Sequence, residues 1–171
     1  LFRSEDIITG LQDNGTKLHT GDTWSDVRGG DGMECLIDYT DVNIQYGTVY
    51  FGQIDRTTNH WQSSQNITPP DEGAWVTPYI IDPNDPNTLY GGYNEVWKTT
   101  DRGDNWEQIS SFDPNGQLLS MGIAASDSRY LYVATYNQIW KTINGGAEWT
   151  AITNNLPTGG ANIEYISVKH D

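Results

Sequence analysis

Two carboxylates have the surroundings best suited to chemistry. Asp13 lies in Gln12-Asp13-Asn14-Gly15, and Asp31 lies in Gly29-Gly30-Asp31-Gly32, both with the composition of turns. Two neighbouring carboxylates can recruit a cation such as calcium, or act together on a glycosidic bond. The same side chains can also cap their own turns, which turn composition favours. We therefore assign no catalytic residue and no metal ligand, and keep Asp13 and Asp31 as the candidates for either role.

A wider set of side chains has the chemistry of glycan recognition. Aromatic rings stack on sugar rings, while carboxylates and amides hydrogen-bond to hydroxyl groups. Rings of this kind also pack between sheets, so each aromatic candidate has a structural alternative. The ligand-binding candidates are Asp13, Asn14, Asp31, Glu34, Trp75, Tyr93 and Tyr136. This set predicts a glycan or protein ligand and no cofactor, with calcium as the alternative.

An internal repeat supplies the elements that would position these side chains. Trp24, Trp61, Trp106 and Trp149 recur at intervals of roughly 37–45 residues, close to the length of a four-stranded propeller blade. Each interval holds β-branched and aromatic runs separated by turn residues, with no helical period. The sequence predicts an all-β fold of four-stranded antiparallel sheets arranged as propeller blades. They number about four, or form a segment of a larger propeller.

The repeat also predicts the boundaries of the blades. We expect one propeller segment over 1–171, with a partial blade at 1–28 and blades at 29–68, 69–111 and 112–153. Residues 154–171 would supply the first strand of a further or closing blade, with the strand itself at Ala161–Lys169. The two partial units could close a ring of four. We favour a segment of a larger ring, because propellers built from repeats of this type usually have more than four blades. In either case the unpaired strand edges need partners, which the remaining blades or domains of a longer parent protein would supply.

Two turns carry a recognisable motif between the third and fourth strands. The positions are Thr99, Asp101, Gly103 and Trp106, and then Thr142, Asn144, Gly146 and Trp149. They resemble the Asp-box, Ser/Thr-x-Asp-x-Gly-x-x-Trp. The short acceptor at the third position can cap backbone N–H groups, and the glycine can adopt positive φ. We expect a structural role, and we expect shorter turns that lack the full motif before Trp24 and Trp61.

The motif resembles the Asp-box (BNR-like) repeats of sialidases, sortilin-type receptors and xyloglucanases. Most of the chain also resembles the large sortilin-like repeat proteins of Bacteroidetes, through segments that begin at Ile8, Gly29, Gly73 and Leu89. Those proteins are typically multidomain and exported by a type IX route. The resemblance implies secretion or display at the cell surface, and it does not imply a reaction.

Two kinds of enzyme occur within these families, xyloglucanases and sialidases. Xyloglucanases use an aspartate in an Asp-x-Gly-Gly turn, and Asp13 matches it loosely, because Thr16 replaces the second glycine. The distant second motif of that family is absent from this sequence. Sialidases need converging arginines, whereas Arg56, Arg102 and Arg129 fall on turns expected at the end opposite to the candidates. The sequence therefore favours a non-catalytic binding or scaffold module, with a glycoside hydrolase as the alternative.

Charge and cysteine content exclude other classes of function. The chain has nine Lys and Arg residues and 23 Asp and Glu residues, so its net charge is −14, and the arginines do not cluster. Nucleic acid needs concentrated positive charge, so it is excluded as a partner. No apolar run is long enough for membrane insertion. The single Cys35 and the three histidines show no metal-ligand spacing.

Overall fold

Antiparallel β-sheets make up the fold. The structure, a computed structural model, describes residues 5–112, 116–157 and 159–169. Within these residues the only helical element is a single 3-10 turn, Tyr50–Gly52. The predicted all-β class is confirmed. The chain divides between Thr68 and Pro69 into two compact units.

The first unit holds a three-stranded sheet and a four-stranded sheet. The three-stranded sheet consists of β1 (Ile7–Leu11), β2 (Gly15–Thr20) and β3 (Thr23–Arg28), in that order. The four-stranded sheet consists of β4 (Gly32–Ile37), β5 (Gln45–Val49), β6 (Gln53–Thr57) and β7 (Gln65–Asn66), in that order. Each pairing is antiparallel between consecutive strands, as expected for the up-and-down strand order of a blade.

The close approach of the β1 and β4 backbones determines how these two sheets pack. A Cβ atom at Gly10 would lie 2.0 Å from the carbonyl oxygen of Met33, so only glycine allows β1 to lie this close to β4. Thr16 and Leu18 of β2 are buried. The Arg28 Nε atom lies 2.5 Å from the Asp55 carboxylate and ties the two sheets together by an ion pair.

The second unit holds two four-stranded sheets. The first consists of β8 (Tyr79–Ile81), β9 (Leu89–Gly92), β10 (Val96–Thr99) and β11 (Glu107–Gln108). The second consists of β12 (Ser120–Ile123), β13 (Leu131–Ala134), β14 (Ile139–Thr142) and β15 (Thr150–Ala151). The sheets bury a shared apolar core that includes Tyr90, Leu118, Val133 and Trp140. Phe112 stacks on Trp140 with ring centroids 4.6 Å apart, which extends this core.

The segment after β15 differs from expectation. Residues 161–169 were predicted to form a first strand, but they form no β-ladder. Instead, the Ile166 N–H donates to Ser120 Oγ at 2.8 Å, and the Ile163 N–H donates to the Tyr136 carbonyl at 2.8 Å. A first strand forms a ladder only with a second strand beside it, and no described residue supplies one. The predicted blade boundaries and the single segment over 1–171 stay predictions.

No helix in the described part of the chain is both long enough and apolar enough to cross a bilayer.

Candidate functional site

Hydrogen bonds within the turn between β10 and β11 explain its sequence. The Thr99 hydroxyl donates to Asp101 Oδ1 at 2.7 Å and accepts from the Gly103 N–H at 3.0 Å. Asp101 Oδ1 also accepts from the Asn105 N–H at 2.9 Å. Hydrogen bonds from Asn105 and Thr99 stabilise the charged carboxylate and lower the pKa of Asp101 to about 2. These contacts satisfy backbone groups of the turn, and they give Asp101 a structural role.

The turn between β14 and β15 repeats this pattern. Asn144 Oδ1 accepts from the Thr142 hydroxyl at 2.8 Å and from the Glu148 N–H at 3.0 Å. Gly146 adopts φ +98°, and its N–H donates to Thr142 Oγ1 at 3.0 Å. The Trp149 indole N–H donates to the Ile109 carbonyl at 2.8 Å, so the ring fastens the turn to the preceding sheet.

A third turn of this kind corrects the sequence interpretation. The turn before Trp61 was expected to be short, yet 57–63 has the length and the hydrogen bonds of the other two. The Thr57 hydroxyl accepts from the Trp61 N–H at 2.8 Å, and Asn59 Oδ1 accepts from the Ser63 N–H at 2.9 Å. Trp61 therefore takes the glycine position, with φ +62°. We call 57–63, 99–105 and 142–148 the box turns.

The spacing of threonines could have revealed this turn. Thr57, Thr99 and Thr142 recur more regularly than the tryptophans, because Trp61 is not equivalent to Trp106. The turn before Trp24 is short, as predicted: only two residues separate the paired Thr20 and Thr23.

Each box turn is fastened to the preceding turn of its own sheet. A residue with left-handed backbone donates its N–H to a carbonyl in the turn between the first and second strands. The pairs are His60 with Asn43 at 3.1 Å, Arg102 with Asn87 at 2.8 Å, and Gly145 with Arg129 at 3.0 Å. These turns therefore cap one end of each sheet, the turn end.

The opposite end of each unit, the loop end, holds the candidate ligand-binding residues. In the first unit, Asp13 and Asp31 meet as predicted, although 18 residues separate them. Asp31 Oδ1 accepts from the Asp13 N–H at 2.7 Å. Asp13 is exposed and adopts φ +64°, a backbone conformation that aspartate tolerates better than most residues. Asp31 therefore caps the turn that presents Asp13.

Asn14 and Glu34 lie near this pair in the sequence and differ in their environments. Asn14 is exposed, and its side-chain amide donates to the Gln12 carbonyl at 3.4 Å. Glu34 keeps solvent contact, but neighbouring protein atoms displace enough water to raise the pKa of its carboxyl. Among the described residues, no three His, Cys, Asp or Glu side chains are grouped to hold a metal. Calcium binding at Asp13 and Asp31 therefore stays a hypothesis.

In the second unit, the three aromatic candidates separate into two kinds. Trp75 and Tyr136 are 44% and 54% exposed, so both rings can meet a ligand. Tyr93 is completely buried, and burial, with the nearby Asp71 charge, raises the pKa of its hydroxyl. The expectation that Tyr93 presents its ring is therefore corrected, because its side chain fills the protein interior.

Asp71, which the sequence analysis did not select, organises the loops around Trp75. Its carboxylate accepts from the Asn94 side-chain amide at 2.8 Å and from the Trp97 indole N–H at 2.9 Å. The Gln117 side-chain amide donates to the Gly73 carbonyl at 2.8 Å. These bonds join the loop before β8 to the β9–β10 turn and to the segment before β12.

Phe51 is a further aromatic residue that the sequence analysis missed. It lies in the 3-10 turn between β5 and β6, is 41% exposed and adopts φ +58°. A regular period of tyrosines could have found it, because Tyr50, Tyr93 and Tyr136 hold equivalent positions at the ends of second strands. The residue after each of these tyrosines belongs to a loop-end turn.

Comparisons with known proteins give structural likeness alone. No family model matches the chain, and a search of curated proteins finds no match. An ancestral GH74 enzyme superposes with a TM-score of 0.74 at 18% identity, over 93% of this chain and 25% of that chain. The GH74 xyloglucanase from Xanthomonas campestris gives a TM-score of 0.71 at 15% identity, over 88% of this chain and 29% of that chain.

A GH74 enzyme from Niastella koreensis gives a TM-score of 0.64 at 19% identity, over 85% of this chain and 27% of that chain. These likenesses show the fold, so the sheets are β-propeller blades, as predicted. The chain spans about a quarter of the length of the solved structures that it matches.

Proposed function

We propose that this chain is the glycan-recognising part of an extracellular propeller and that it acts by binding. The observation that carries the proposal is the exposure of Trp75 and Tyr136 at the loop end of the second unit. An exposed aromatic face can stack on a sugar ring, and ligands commonly bind at surfaces that combine such rings with a few polar groups. Asn94 supplies an exposed amide on the same set of loops.

The hydrogen bonds around Asp71 support this function, because they hold the loops rigid before a ligand arrives. A preorganised loop loses little conformational entropy on binding. Next to Trp75, the Thr77 hydroxyl donates to the Ala74 carbonyl at 2.7 Å and closes a tight local turn. The loop that carries the Trp75 ring is therefore fixed at both of its ends.

Xyloglucan oligosaccharide is the first probe, because one of the structurally similar proteins is a xyloglucanase. Trp75→Ala and Tyr136→Ala should each weaken binding in calorimetry by about tenfold, the equivalent of about 1.4 kcal/mol. Trp24→Ala is the matched control: Trp24 is 55% exposed and lies on β3 of the first unit. Equal affinity in all variants, or an equal loss in Trp24→Ala, would refute the role of these loops.

Glycoside hydrolysis is the second candidate, and the geometry of Asp13 favours it. Non-glycine residues in left-handed conformation are uncommon and cluster at functional sites. Asp13 is such a residue, is exposed, and is held by Asp31 from the next sheet. In this version Asp13 acts on the substrate together with a second carboxylate, for which Asp31 is the candidate.

Hydrolysis and binding are separated by one pair of variants. Asp13→Asn keeps the shape of the side chain but removes its charge, so it should abolish the release of reducing sugar and leave xyloglucan affinity nearly unchanged. Trp75→Ala should do the reverse and weaken affinity first. If the unaltered protein binds xyloglucan and releases no reducing sugar, the hydrolase candidate fails and the binding function stands.

A further inference from the structure

Asn14 and Gly15 form a pair with intrinsic chemical reactivity. An asparagine followed by glycine can lose its side-chain amide, because glycine has no Cβ to hinder attack by its own backbone nitrogen. Two such pairs lie entirely within the described residues, Asn14-Gly15 and Asn144-Gly145. Both asparagines are exposed, so solvent access does not distinguish them. The two pairs differ in the hydrogen bonds that their side chains make.

Three hydrogen bonds restrain the Asn144-Gly145 pair. Its Oδ1 atom accepts from the Thr142 hydroxyl at 2.8 Å and from the Glu148 N–H at 3.0 Å. The Gly145 N–H, which would have to release its proton before attack, donates to the Arg129 carbonyl at 3.0 Å. The side chain and the attacking nitrogen of this pair are therefore both restrained.

The Asn14 side chain lacks such restraint. Its amide makes one long hydrogen bond, 3.4 Å to the Gln12 carbonyl, and its Oδ1 atom accepts none from the described residues. A bond of this length contributes little, so the side chain can rotate towards the Gly15 nitrogen. Gly15 is buried and pairs with Leu11 at the start of β2, so the two pairs differ in their asparagine side chains, and Asn14 has the one that is free to approach its glycine.

We propose that Asn14 is a site of spontaneous modification, which converts it to aspartate and isoaspartate and adds a carboxylate beside Asp13 and Asp31. The Gly15 nitrogen attacks Cγ of Asn14, and the bond from Cγ to Nδ2 breaks. Nδ2 leaves as ammonia, which carries away the proton from Gly15 N. Water then opens the cyclic imide. Opening at Cγ gives aspartate, and opening at the main-chain carbonyl carbon gives isoaspartate.

The product changes the loop end of the first unit in two ways. A further negative charge repels the neighbouring Asp13 and Asp31 carboxylates. Isoaspartate also inserts a methylene into the backbone of the turn between β1 and β2, where the strand register pairs Leu11 with Gly15. The reaction therefore changes both the charge and the shape of the turn that presents Asp13.

Peptide mass spectrometry tests this inference directly. The folded protein is incubated at neutral and at mildly alkaline pH, then digested, and the peptides that contain Asn14 and Asn144 are compared. We expect modification of Asn14, faster at the higher pH because the attacking nitrogen must be deprotonated, with isoaspartate and aspartate both present. Asn144 should stay unmodified over the same period. An Asn14→Gln variant should lose the acidic species in ion-exchange chromatography.

Two further measurements keep the structural explanation falsifiable. In urea, where the hydrogen bonds are lost, both asparagines should react at similar rates. Thr142→Val removes the hydroxyl that holds Asn144 and should allow that residue to react in the folded protein. Modification of Asn144 at the same rate as Asn14 in the folded, unaltered protein would overturn the inference, as would an unmodified Asn14.

Discussion

Two adjacent glycines in the box turn between β14 and β15 both adopt positive φ but have very different surroundings. Gly145 adopts φ +72°, and a Cβ atom there would meet nothing within 4 Å. Gly146 adopts φ +98°, and a Cβ atom there would lie 2.6, 2.9 and 3.1 Å from three side-chain carbons of Ile109. Alanine at the two positions therefore separates backbone strain from close packing.

The magnitudes follow from these two effects. Left-handed backbone costs a residue with a Cβ about 1–2 kcal/mol, so Gly145→Ala should lower the free energy of unfolding by that amount. Gly146→Ala carries the same cost and also overpacks the contact with Ile109, which costs about 1–3 kcal/mol more. The total expected for Gly146→Ala is about 2–5 kcal/mol. Because three atoms of Ile109 are involved, a rotation of its end alone does not relieve the clash.

Urea denaturation followed by tryptophan fluorescence measures both variants, with the slope checked for two-state behaviour. Ile109→Val removes the nearest carbon and should recover part of the loss in the Gly146→Ala background. The coupling energy of that pair should be about 0.5–3 kcal/mol in a double-mutant cycle. Equal destabilisation by the two alanines, or no coupling with Ile109, would refute the packing argument.

Four further predictions concern the turns and the candidate cation site. Trp61→Gly should destabilise by about 1–3 kcal/mol in urea, because the loss of the indole contact exceeds the relief of left-handed strain. Trp61→Ala should be worse than Trp61→Gly, and the reverse order would contradict the assigned backbone. Asp101 has a lowered pKa, so its contribution to stability is present above about pH 4 and should disappear as the pH falls towards 2. Asp101→Asn should flatten this part of the profile of stability against pH. An unchanged profile in that variant would count against the capping role of Asp101. Asp31→Ala should cost about 1–2 kcal/mol through the uncapped Asp13 N–H, while Asp31→Asn, which can still accept that bond, should cost less. If Asp13 and Asp31 bind calcium, calcium should raise the melting temperature of the protein and not that of Asp13→Asn; an equal shift in both would exclude this site.

Local patterns in the sequence determined the fold class and much of the turn chemistry. Strand order and antiparallel pairing follow from apolar runs separated by turn residues, and both depend on neighbours in the chain. The capping roles of Asp101 and Asn144 were also predictable, because every hydrogen bond involved lies within five residues. Even the meeting of Asp13 with Asp31 followed from the alternation of strands, since the chain returns to the end it left.

Tertiary packing decided what the sequence left open. Tyr93 and Tyr136 occupy equivalent positions in the repeat, and the carbonyl of each accepts an N–H from a following segment, yet the Tyr93 side chain is buried and the Tyr136 side chain is 54% exposed. The spacing of the tryptophans placed Trp61 at the wrong position of its turn, because the hydrogen bond from its N–H to the Thr57 hydroxyl sets that position. Asp71 was missed because its partners lie more than 20 residues away in sequence. Residue types specify local conformation, whereas exposure and long-range contacts depend on which sheet and loop lie beside them.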